Sequence, residues 1–222
     1  MVAGITAAFW ENAALQNPPR RTGLIYIDAD TDLTSPTSPD SSGIFAGNNM
    51  THLVRFPGAL HSMQPFTRPS GERVCDASNT VLFGINMSLP RNKREHFACL
   101  FENDYRIIGS ASSAHAPEER ARVALKYFEE RVDTILAHFD VDSVDPSMFP
   151  LANVPNFTAV TFEQMIRALR VFVGSRQVGG LTIAEVNPDY DPGLEMVERL
   201  TDLVVEMLAA RADLGKDVEV EV

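Results

Sequence analysis

The chain has 222 residues, 45% hydrophobic and 22% charged, which suits one ordinary packed core and argues against wholesale disorder. With 19 basic and 30 acidic residues its net charge is −11, which disfavours nucleic acid and anionic membrane as partners and suits cations, whether metal ions or a cationic substrate. Cys75 and Cys99 form no CxxC pair, so neither a disulfide framework nor a zinc ribbon is expected and a reducing, cytoplasmic setting follows. No run of about 18 apolar residues predicts a membrane span. The opening MVAGITAAFWENAALQ lacks a basic segment and carries Glu11, unlike a signal peptide. The sequons at Asn49, Asn86 and Asn156 therefore read as chance.

In chain order, residues 5–15 read as a short apolar helix and 23–28 (GLIYID) as the first strand. Residues 34–43 (TSPTSPDSSG) form a polar loop. Further strands are expected at 80–85 (TVLFGI), 105–108, 134–140 (TILAHFD) and 180–186 (GLTIAEV). Most show no strict alternation, as expected of strands covered on both faces. Helices are expected over 117–132, where Pro117, Glu118 and Glu119 suit a helix start. Another comes after the capping box Thr161–Gln164, and a long amphipathic one covers 194–212. Residues 213–222 read as a frayed tail or a short oligomer contact. Alternating strands and helices predict one α/β domain over 1–222, with three α/β/α layers and a mainly parallel sheet.

Two strands end in alternating aspartates: Asp28-Ala-Asp30-Thr-Asp32, and Asp140-Val-Asp142 with Asp145-Pro146 beyond it. Ligands of open α/β sheets bind beyond the carboxyl ends of strands. Two such ends side by side would crowd their carboxylates, which only a cation makes tolerable. One or two divalent ions would answer this: Mn2+, Mg2+ or Ca2+ for an oxygen set, Mn2+, Fe or Zn where an imidazole joins. An EF-hand loop is disfavoured, since Leu33 and Pro39 stand at its sixth and twelfth positions. A D-x-D-x-T phosphatase has Asp32 in place of its threonine. Residues 180–191 supply a third strand end, Glu185-Val-Asn-Pro188.

Together these segments resemble the ureohydrolase family of arginase, agmatinase and formimidoylglutamase, from about residue 5 to 212. The family motif D-A-H-x-D is matched by residues 28–32, S-F-D-x-D-x-x-D-P by residues 138–146, and E-V-N-P by residues 185–188. The resemblance implies an arginase-like fold and hydrolysis of a C–N bond in a linear guanidino or amidino compound by a metal-activated hydroxide, with two Mn2+ ions if the site is intact. It implies that Asp28 and Asp140 bridge the ions, that Asp32 binds one and Asp142 the other, and that Glu185 faces the cationic substrate. It also implies a homo-oligomer, trimer or hexamer.

Three departures mark this chain. Asp30 replaces the histidine of the first motif and, as a metal ligand, would make bound water less acidic. The family's earlier G-G-D-H histidine has no counterpart, since residues 2–6 match only the segment just C-terminal to that motif, so the first strands of the fold are expected to be missing. Ala46 stands at the catalytic-loop histidine, leaving His52 either a substitute proton shuttle or an ordinary polar residue of a helix start. His61, His96 and His115 match no family position, and His138 reads as structural. Two readings stay open: a metal-dependent amidinohydrolase with an altered site, or a catalytically weakened relative that keeps metal binding or an assembly or regulatory role.

Overall fold

The computed structural model describes residues 2–68 and 70–216. Five parallel strands form one sheet: β1 (Thr22–Ile27), β2 (Thr80–Ile85), β3 (Arg106–Gly109), β4 (Thr134–Asp140) and β5 (Val178–Ala184). Their spatial order is β3-β2-β1-β4-β5. Alternate side chains of the buried strands serve two cores, as the two-residue strand period requires. Ile25, Ile27, Val81, Phe83, Ile135, Ala137 and Phe139 face one way. They meet α5 (Pro117–Phe128), α6 (Phe162–Gly174) and α7 (Glu195–Lys216) through Ala121, Phe128, Leu169, Phe172 and Leu200. Leu24, Tyr26, Leu82 and Leu136 face the other way. There they meet α1 (Val2–Ala14), α2 (Asn49–Leu53) and α3 (Arg94–Glu102) through Ala3, Trp10, Leu53 and Leu100. The result is the expected three-layer α/β/α fold, with the sheet wholly parallel. Burying a large apolar side chain in such a core contributes about 1.5–3 kcal/mol.

Element ends differ from the sequence reading by a few residues. The helix expected to reach residue 132 stops at Phe128, because Glu129 and Glu130 come next and acids are unfavourable at a helix C-terminus. Asp133 then turns to clamp Arg21, accepting its backbone N–H at 2.7 Å and its guanidinium at 2.8 Å. The helix expected over 194–212 runs from Glu195 to Lys216, so residues 213–216 of the expected tail are helical, and residues 217–222 lie outside the described residues. Three short helices have no clear sequence signal: α2, α3 and α4 (Ser110–His115). Their periodicity is poor; α3 buries only His96 and Leu100. The capping box at α6 is present, with Thr161 Oγ1 accepting from the Gln164 N–H at 3.2 Å and Gln164 Oε1 accepting from the Thr161 N–H at 2.8 Å.

Candidate metal centre

The sheet order reverses between β1 and β4. The chain leaves β1 to build β2 and β3 on one side, then returns with β4 and β5 on the other. Ligand crevices of open sheets lie at such switch points. The register pairs Ile27 with Phe139, so the next residues, Asp28 and Asp140, emerge side by side. Asp140 is also opposite Ala184, which puts Glu185 one step beyond on β5. Backbone pairing thus delivers all three acidic strand ends to one edge.

Local turns then curl the aspartates inward. Asp28 Oδ1 accepts the Asp30 N–H at 2.7 Å, and Asp140 Oδ1 accepts the Asp142 N–H at 3.0 Å. Asn92 clamps the first turn, accepting the Thr31 N–H at 2.8 Å and donating to the Ala29 carbonyl at 2.9 Å. His96 adds a contact to Thr31 Oγ1 at 3.1 Å. Gly84, at φ 89°, lies where the β2–β3 register shifts; a Cβ there would come within 3.3 Å of the Asp28 carbonyl oxygen. The outcome is a cavity of about 470 Å³ lined by Asp28, Asp30, Asp32, Asp140, Asp142 and Glu185, with Arg91 and Lys93 at its wall.

All five aspartates are buried, the most exposed at 8%. Burial raises the carboxyl pKa values of Asp28, Asp32 and Asp140 well above the usual range, and neighbouring carboxylates raise them further: Asp142 for Asp28 and Asp140, Asp30 for Asp32. Asp142 is pushed up to about 6 by burial, opposed by the Ala29 N–H it accepts. Tyr26 donates its phenol proton to Asp32 from within the core. A cluster of this kind favours a divalent cation over bare ionisation.

Asp28, His138 and Asp140 each offer a ligand atom within 4.8 Å of the other two. His138 Nδ1 lies 2.8 Å from Thr182 Oγ1, while Nε2 has no hydrogen-bond partner among the described residues. Burial lowers the pKa of this imidazole to about 4, so it is neutral and able to ligate at neutral pH. These residues fit a divalent ion: two carboxylates and one fixed imidazole with a free ring nitrogen. Sequence reasoning assigns His138 only a structural place. The signal for its chemistry is alternation, since residues 138 and 140 of one strand share a face.

Glu185 lines the cavity and has an unpartnered Oε2 among the described residues. His52, in α2, is buried beside Phe45, with ring centroids 5.9 Å apart, and is absent from the cavity lining; Ala46 is part of that lining. Both His52 nitrogens lack partners among the described residues, and burial lowers its pKa.

The chain is 24% identical over 205 residues to human Arginase-1, covering 88% of this chain and 59% of that protein. It is 23% identical over 180 residues to formimidoylglutamase of Rhodococcus opacus (strain B4), covering 81% of this chain and 49% of that protein. The chain thus spans 49% to 59% of these relatives' lengths. The arginase structure from Bacillus caldovelox superposes with a TM-score of 0.76 at 20% identity, over 93% of this chain and 64% of that one. The family model of the arginase family matches residues 2–210. That match contains every acidic strand end of the cavity, and by it the chain belongs to the arginase family.

Proposed function

We propose that the chain is a metal-dependent hydrolase of C–N bonds in linear guanidino or amidino compounds. The observation that carries this reading is the convergence of Asp28, His138 and Asp140 in a cavity otherwise walled by Asp30, Asp32, Asp142 and Glu185. A divalent ion there, Mn2+ being the first to test, supplies the Lewis acidity that makes water a nucleophile at neutral pH. The chain's own part is to attract and orient a cation. The acidic walls favour a guanidinium over a neutral or anionic ligand. Glu185, with one oxygen unpartnered, is the group to pair with substrate N–H donors in the paired geometry that guanidinium and carboxylate favour.

The test is release of urea from arginine, agmatine and guanidinobutyrate, and of formamide or ammonia from formimidoylglutamate, with and without Mn2+. Metal-dependent release from one member is expected; none from any would overturn the reading. A second reading, a relative with weakened catalysis that retains metal binding, is favoured by Ala46 lining the cavity where the family pattern has histidine. It predicts metal uptake with no turnover across the panel. The same resemblance extends the proposal to a trimer or hexamer, which light scattering would measure.

A further inference from the structure

The five aspartates of the cavity are not equivalent. Asp28 and Asp140 stand with His138, whose Nε2 is unpartnered and whose ring is fully buried. Asp30 and Asp142 are joined by another route. Arg91 Nε lies 3.2 Å from Asp30 Oδ2. The same guanidinium donates through a terminal nitrogen to Asn156 Oδ1 at 2.5 Å. Asn156 Nδ2 in turn donates to Asp142 Oδ2 at 2.6 Å. The remaining oxygens of this pair are also engaged: Asp30 Oδ1 accepts the Asp32 N–H and Asp142 Oδ1 the Ala29 N–H, each at 3.2 Å. A relay Asp30–Arg91–Asn156–Asp142 therefore spans the half of the cavity next to the histidine-bearing half.

We propose that the centre takes one divalent cation, held by Asp28, Asp140 and His138 Nε2, and that the Arg91 guanidinium stands as the fixed counter-charge of Asp30 and Asp142 in place of a second ion. The proposal rests on the metal-dependent reading above and refines it. Two positive centres offset the acids of the two halves by different chemistry, the divalent ion in full and the single guanidinium in half. An imidazole among carboxylates shifts the preference from Mg2+ or Ca2+ toward a transition ion, Mn2+ or Zn2+. A guanidinium is always charged and its planar fork matches carboxylate and amide oxygens, so it holds its position without an exchangeable ligand. Aspartate at position 30 then has a reason: it can pair with Arg91, which a histidine there would repel when protonated and would not neutralise when neutral. His138 likewise offers on β4 the imidazole that the first motif lacks.

The test is metal stoichiometry. The chain is loaded with Mn2+ or Zn2+, passed through gel filtration and measured by plasma mass spectrometry, with titration calorimetry for affinity and Mn2+ electron spin resonance for spin coupling. One ion per chain and an uncoupled six-line spectrum are expected. Arg91→Gln, in a side chain 42% exposed and so tolerant of change, should admit a second ion. His138→Asn should weaken binding at least about tenfold. Two ions and a coupled spectrum in the unaltered chain would overturn this inference while leaving the hydrolase reading standing. No ion at all would overturn both. Arg91→Gln still holding one ion would overturn the role given to Arg91, and undiminished affinity in a folded His138→Asn would overturn the ligand assignment.

Discussion

Asp32 and Glu185 both hold left-handed backbone angles, φ 49° and 65°, which L-residues adopt at a cost of about 1–3 kcal/mol. Both stand at the cavity, so the strain aims carboxylates that an extended strand would point elsewhere. Glu185→Gln keeps that shape and removes the charge. Turnover of a guanidino substrate should fall at least about a hundredfold, with metal content unchanged. Steady-state kinetics beside metal analysis would check this, and full retained turnover would reject the substrate role. The acids also differ as ligands. Asp140→Asn should release the ion, whereas Asp30→Asn, which alters the partner of Arg91, should weaken it far less; equal losses by calorimetry would contradict that division. The acidic motifs are legible because their alternation at strand ends is a local pattern. The pairing of Arg91 with Asp30 is not, because 61 positions separate them and only the folded loops bring them together.

At the level of elements, the capping box of α6 and the glycine at the end of β2 govern what the strands present. Thr161→Ala removes the cap on the Gln164 N–H and should lower stability by about 1 kcal/mol, read by urea denaturation, with metal affinity unchanged. Gly84→Ala sets a Cβ against the Asp28 carbonyl at a positive φ and should lower both stability, by roughly 1–2 kcal/mol, and metal affinity. Equal metal affinity in Gly84→Ala would show that the Asp28 turn does not depend on this bulge. Strands β2 and β4 are legible to the residue because each is a continuous apolar run bounded by polar turns. Helices α2, α3 and α4 are not, because short helices held by tertiary contacts carry little periodicity of their own. His138 falls between these cases: its place on β4 is plain from the sequence, but its chemistry depends on β1 lying alongside.

For the molecule as a whole, the buried acids set the pH response. Asp28, Asp32, Asp140 and Asp142 have folded pKa values raised above their unfolded ones, so the folded chain binds more protons than the unfolded chain over that interval. Without metal, each therefore loses stability as pH rises through its folded value, about 6 for Asp142 and above the ordinary carboxylate range for the others. His138, lowered to about 4, works oppositely, gaining stability between that value and about 6.5, and is flat above. Four raised carboxyl groups thus oppose this one imidazole. The metal-free melting temperature should fall as pH rises above the ordinary carboxylate range, and saturating Mn2+ should raise it and flatten the slope. Differential scanning calorimetry in chelator and in Mn2+ would decide, a flat metal-free profile counting against the cluster. Whole-chain architecture is legible from alternating strands and helices, while the strand order is not, since β-strand adjacency is written in long-range contacts.

That adjacency has a consequence for how the chain matures. Ala29 and Asp142, bonded across the cavity, are 113 positions apart. During synthesis β1 can recruit β2 and β3 early, but its other edge stays unpaired until β4 has emerged. Over that interval an apolar strand with open hydrogen-bonding groups invites intermolecular pairing. On the proposed metal-binding reading, ion capture would come after that edge is sealed, and metal uptake would then serve as a clock for the last step of assembly.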